Sequence, residues 1–286
     1  KNGLTLIDST GVEETAIVTC TDAPHSLGVQ DYLFLTIKSP ALLPSLQAIK
    51  PLIGKDTTII TCMNGIPHWY FHKLDNKYAN YKIKCLDPNL LIDTILPPDN
   101  IVGSVVYPAC EIVKPGTIKH IAGNRFSLGE PEGSESDRLK FISDILKRAG
   151  FRAPIQKNIR DEIWLKLIGN LSFNPISALT GATLEQICND QGTEAIVRAM
   201  MTEAKIIAEE LGAKINMSIE KRIEGARKVG AHKTSMLQDI EAGKPIEIDS
   251  IIIAVKELGE LTCSPTPYID TILNLTLQKA KLIGCL

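Results

Sequence analysis

The chain lacks a glycine-rich phosphate loop. None of its 20 glycines stands two positions from another, which excludes a G-x-G-x-x-G turn from the sequence. The 7 cysteines (20, 62, 85, 110, 188, 263, 285) are scattered, odd in number and free of C-x-x-C spacing. That argues against a disulfide framework or a zinc site and for a reducing, cytoplasmic setting. The 5 histidines form no H-E-x-x-H pair, so no metal site is expected. A net charge of -2 without Lys/Arg runs leaves no basic footprint for a nucleic-acid partner. Apolar runs are too short to span a bilayer, and the opening KNGLTLIDSTG is no signal peptide, so no membrane partner is expected. Aromatic residues make up only 5% of the chain, which makes the consecutive Trp69, Tyr70 and Phe71 conspicuous.

What is present is an ordinary globular composition, 44% hydrophobic and 22% charged over 286 residues, enough for one large domain or two of usual size. Apolar runs at 16–20, 32–37 and 57–62 have the length of buried strands, and 39–53 has helical length and spacing. A strand–helix–strand series predicts a parallel sheet covered by helices. Strands at 101–107, 117–121 and 125–128, separated by Pro115-Gly116 and Gly123-Asn124, read as a meander extending it. Beyond residue 158 the pattern turns helical, at 161–179, 184–211, 218–229, 247–258 and 267–281, with Gly212 as a stop signal. The expected plan is an α/β domain over 1–157 and an all-α domain over 158–286. The first strand-like residues, Leu4–Ile7, follow no initiator methionine. Either the fold is not a dinucleotide binder or its phosphate loop lay before Lys1; the strand-like start favours the second, and we therefore expect a fragment, a processed form or an engineered boundary.

In WLKLIGNLSFNP, Lys166, Asn170 and Asn174 recur every four residues. On a helix they share one face, with about 40° of drift per step. Such a stripe can be a solvated face; an ammonium beside two amides can also hold a small carboxylate and protonate an alkoxide. In an open parallel sheet, loops at the carboxyl ends of strands bind ligands. There lie Lys38, after LTI, and Asn64-Gly65, after CM, either of which also reads as ordinary surface or turn. In TSMLQDIEAGKPIEID, Pro245 predicts a helix whose first turn holds Glu247, and Ser235 reads as an N-cap or as a hydroxyl ligand.

Taken together, LTIK (35–38), MNGIP (63–67), VGSVVYPA with KPGTIKH and FSLGEP (102–131), WLKLIGNLSFNPISALTG (164–181) and SMLQDIEAGKPIEID (235–249) resemble the ketopantoate reductase (2-dehydropantoate 2-reductase) family over nearly the whole chain. The resemblance implies a Rossmann-type domain, N-terminally incomplete here, followed by an all-helical domain, with the active site in the cleft between them. It further implies hydride transfer from NADPH to a 2-keto acid, ketopantoate, giving pantoate for pantothenate and coenzyme A synthesis.

By the same resemblance, Lys166 and Glu247 are catalytic. Asn170, Asn174, Ser235 and Asn64 bind substrate, and Lys38, Asn64 and Glu247 lie on the cofactor's side. The segment 67–98 is longer than in the family's simplest members, which leaves the keto acid open. Another 2-keto acid on the same fold, or an inactive metabolite-binding relative, are the alternatives. The long amphipathic helices leave room for a homodimer.

Overall fold

The strands at Thr58–Thr61 and Ile101–Val106 carry apolar or small residues on both faces, as a strand covered from both sides must. A computed structural model, which describes residues 3–286, buries them side by side. Among the described residues eight strands occur: β1 (Leu4–Ile7), β2 (Glu13–Ala16), β3 (Tyr32–Leu35), β4 (Thr58–Thr61), β5 (Ile101–Val106), β6 (Ala109–Lys114), β7 (Thr117–Ala122) and β8 (Phe126–Gly129). Helices in the first part are α1 (Ser39–Ile49), α2 (Leu91–Ile95) and α3 (Asp137–Arg148). They are followed by α4 (Ile159–Thr180), α5 (Leu184–Asn189), α6 (Gln191–Glu210), α7 (Ile219–Val229) and α8 (Ser235–Glu241). A π-helical turn (Asp249–Ile253) then leads into α9 (Ala254–Thr262), before α10 (Pro267–Leu282).

The chain forms two compact units. One comprises the segment ending at Leu35 with Ser45–Cys62 and Asp99–Ile159; the other comprises Thr36–Pro44, Met63–Pro98 and Arg160–Leu286. Lys38 and Asn64, which sequence order places in the first 157 residues, thus group with the helices.

In the first unit β3, β4 and β5 pair in parallel and β8 closes the sheet antiparallel to β5. Ile60, Val102 and Leu128 from that sheet meet Leu139, Ile142 and Leu146 of α3, a dry core. Helix α3 starts where Ser136 accepts a hydrogen bond from the Leu139 N–H. The buried Glu130 receives Nε and Nη2 of Arg138 at 2.7 and 2.6 Å, a bidentate pair that satisfies a carboxylate water cannot reach.

Two strand expectations change. The run at 16–20 is exposed, and its strand ends at Ala16, because β1 offers pairing partners only for Glu13–Ala16. The 101–128 region is not one meander: β5 and β8 pair with each other, while β6 and β7 leave as a hairpin. That hairpin turns at Pro115-Gly116, where Gly116 has φ +80°, and joins β1 and β2 in a second sheet of order β2-β1-β7-β6.

The helical part also differs in detail. The expected helix at 184–211 breaks at Asp190, whose carboxylate accepts from the Thr193 N–H at 2.8 Å and begins a new helix. Gly212, with φ +90°, follows α6 as expected of a stop. Pro245 and Glu247 precede the π-helical turn rather than lying in a first helical turn. No described helix is long and apolar enough to cross a membrane.

Candidate active site

The site lies within the second unit and begins with α4, which carries Lys166, Asn170 and Asn174 on one face over about 12 Å of axis. The same helix anchors the segment after Asn64. Trp164 Nε1 donates to Tyr70 Oη at 2.8 Å, Arg160 Nε to the Tyr70 carbonyl at 2.7 Å, and Arg160 Nη2 to the His72 carbonyl at 2.7 Å. Trp69, Tyr70 and Phe71 are at most 2% exposed, so this aromatic run is packing. Burial pushes the Tyr70 hydroxyl up to about 12, leaving it neutral in its bond to Trp164.

These anchors bring residues from four segments together. Lys166 Nζ donates to Asn64 Oδ1 at 2.8 Å, and Asn64 Nδ2 donates to Glu247 Oε2 at 3.1 Å. Glu247, 4% exposed, also accepts from the Ser39 N–H at 3.3 Å through Oε1, so it serves the start of α1 rather than its own helix. An ammonium only donates and a carboxylate only accepts, so the amide of Asn64 has one orientation that satisfies both neighbours. Gly65 makes this approach possible. Its φ is +89°, and an added Cβ would lie 2.4 Å from the Ser250 carbonyl oxygen, to which the Ile66 N–H bonds at 2.8 Å.

The remaining expected residues are placed as follows. Asn174 is buried, with Nδ2 lacking a hydrogen-bond partner, while Asn170 is half-buried one turn away. Ser235 is exposed at the first position of α8, and the cap is Thr234, whose hydroxyl accepts from the Leu237 N–H. Two adjacent hydroxyl residues compete for that position, and the helix start decides between them. Lys38 pairs with the carboxylate of Asp239. Sequence reasoning gave Asp239 no role; the only signal for it was a charged residue among the buried Met236 and Leu237 of α8.

The donor set suits a small anionic substrate and the nicotinamide end of a dinucleotide: two ammonium groups, amides, and a buried Nδ2 with nothing to donate to. No glycine-rich loop for a pyrophosphate occurs in the sequence. A sheet-and-helix first part followed by a helical second part defines the class as a Rossmann-type α/β protein with a helical second part.

Comparison with known proteins gives the family. The family described as "Ketopantoate reductase PanE/ApbA" matches residues 1–133, and "Ketopantoate reductase PanE/ApbA C terminal" matches 158–280. The chain belongs to the ketopantoate reductase family. A 2-dehydropantoate 2-reductase of Mesorhizobium japonicum is 48% identical over 284 residues, 99% of this chain and 87% of that protein. A solved structure from Ralstonia solanacearum MolK2 is 38% identical with a TM-score of 0.94, covering 99% of this chain and 86% of that one. The fold is also that of D-mandelate dehydrogenase, solved with NADH and anilino(oxo)acetate, at 23% identity and a TM-score of 0.81 over 100% of this chain and 87% of that one.

Proposed function

We propose that this chain reduces 2-dehydropantoate to pantoate with NADPH as hydride donor, and that Lys166 and Glu247 are its catalytic pair. The observation that carries the reading is the unbroken line from Lys166 Nζ through the Asn64 amide to the Glu247 carboxylate. When bound, the reduced nicotinamide supplies the hydride, which goes to the ketone carbon as the C=O π electrons move onto oxygen. Lys166 stabilises that developing charge and gives the oxygen a proton, which it regains from water. Asn64, with its orientation fixed by Glu247, keeps the ammonium aimed. Asn170, Asn174, Ser235 and Asn64 bind the polar substrate, Lys38 and Asn64 lie where cofactor and substrate meet, and Asn174 Nδ2 is the buried donor that a substrate oxygen would satisfy.

The name of the Mesorhizobium relative supports ketopantoate as substrate, and the family's chemistry supports a nicotinamide cofactor. The test is NADPH and NADH oxidation by the full-length protein with ketopantoate and a panel of branched and aromatic 2-keto acids. Turnover fastest with ketopantoate and NADPH is expected. Turnover on another keto acid only would move the substrate assignment, and none on any would refute the enzyme. Lys166→Ala is expected to lower kcat by about 10²-fold or more, as for loss of a general acid.

A further inference from the structure

Consecutive residues at the head of α1 are held by two carboxylates of one segment. Asp239 takes the Lys38 ammonium and Glu247 takes the Ser39 N–H. The two ends of the Lys38–Asp239 pair are unlike. The Asp239 side chain is 8% exposed, and that of Lys38 is 46% exposed. Asp239 is itself fixed. Its helix is capped by the buried Thr234, its neighbours Met236 and Leu237 are buried, and the Lys244 N–H bonds the Asp239 carbonyl at 2.8 Å. An exposed ion pair must order two mobile side chains and gains little from doing so. Here one partner is already immobile, so only the lysine stem is ordered. An ammonium has three N–H donors, and a carboxylate holding it from the buried side leaves others for the exposed side.

We propose that Asp239 is a positioning residue: it sets the Lys38 ammonium in place to receive an anionic oxygen of a ligand, either the carboxylate of the keto acid or a phosphate of the dinucleotide. The inference rests on the functional reading above for the identity of these ligands. A preset cation binds an anion without first losing the rotamer freedom of a lysine, so removing the partner weakens binding more than it slows chemistry.

The experiment uses the full-length protein as wild type, Asp239→Asn, Asp239→Glu, Lys38→Met and Asp239→Asn with Lys38→Met. Calorimetric titration with NADPH and, separately, with ketopantoate gives Kd, and initial rates give KM and kcat separately. Asp239→Asn is expected to weaken one ligand roughly tenfold, the scale of one charge-assisted hydrogen bond. Its KM rises with Kd while kcat falls by less. Asp239→Glu recovers most of the loss, and in the Lys38→Met background Asp239→Asn costs nothing further. The titration that shows the loss identifies the anion. If Asp239→Asn binds both ligands like wild type, or loses as much in the Lys38→Met background, the positioning role is refuted. Should Asp239→Asn fail to fold, Asp239→Glu and Lys38→Met decide alone: a Lys38→Met protein with undiminished affinity for both ligands also refutes it. A wild type that binds but does not turn over ketopantoate refutes the substrate reading only, and one that binds neither ligand refutes both.

Discussion

Replacing Gly65 with alanine tests whether the turn after Asn64 is as tightly determined as its geometry indicates. A φ of +89° costs an L-residue about 1–2 kcal/mol. The added Cβ would stand 2.4 Å from the Ser250 carbonyl oxygen and 2.5 Å from its carbon and Oγ, all far inside contact distance. Two of those atoms are backbone, so no side-chain rotation relieves them. Relief must move the π-helical turn and strain the 2.8 Å bond from the Ile66 N–H. Overpacking of this kind costs about 1–3 kcal/mol, and part of it is shared with the backbone strain, so we expect a total loss of about 2–4 kcal/mol. The displacement falls on the neighbour of Asn64 and three residues from Glu247, so activity should fall as well, by up to about 10²-fold for a shift near 1 Å. Urea unfolding followed by tryptophan fluorescence is the assay. The chain has only 2 tryptophans, Trp69 and Trp164, both buried in the second unit, so the signal reports that unit. Gly225→Ala is the control. It lies within α7, exposed, without positive φ and with open space at Cβ, and should gain about 0.5–1 kcal/mol. A Gly65→Ala protein within about 0.5 kcal/mol of wild type and with unchanged kcat would refute the reasoning.

Other expectations follow from the same site. Asn64→Ala leaves the buried Glu247 carboxylate without its 3.1 Å donor, and should cost about 1–3 kcal/mol in the same unfolding assay together with a fall in kcat. Thr234→Ala removes the α8 cap and should cost about 1 kcal/mol, whereas Ser235→Ala should leave urea stability unchanged and raise KM for the keto acid. Buried His68 is held down to about 4 from 6.5, chiefly by desolvation, against the opposing pull of Asp93, whose Oδ1 is 4.0 Å from Nε2. A histidine with a depressed folded pKa leaves the unfolded chain binding more protons between these values. Stability should therefore be full above about pH 6.5 and fall by roughly 3 kcal/mol as pH drops to about 4. A His68 ring proton that titrates near 6.5 by NMR would contradict this.

The stripe of Lys166, Asn170 and Asn174 was legible in the sequence because helical periodicity is local: a four-residue spacing means one face wherever the helix packs. The buried strand β4 was legible for a similar reason, since the short, largely apolar run at 57–62 has the length and composition of a strand covered on both sides. Strand pairing was not local. The run at 16–20 has strand composition but finds no pairing partner beyond Ala16, and β7 left the meander for β1, which lies more than a hundred residues earlier. Helix starts were ambiguous wherever two capping residues stood together, as at Thr234 and Ser235.

By itself, then, the sequence determined which residue types could do acid–base chemistry and on which elements they sit. Only the tertiary structure decided what each one touches. Lys166 meets Asn64 across 102 positions, Asn64 meets Glu247 across 183, and Lys38 meets Asp239 across 201. Periodicity fixes the direction of a side chain relative to its own helix. The partner it finds depends on how distant segments share a core, and here Trp164 and Arg160 hold the Tyr70 segment, which follows Asn64, against α4.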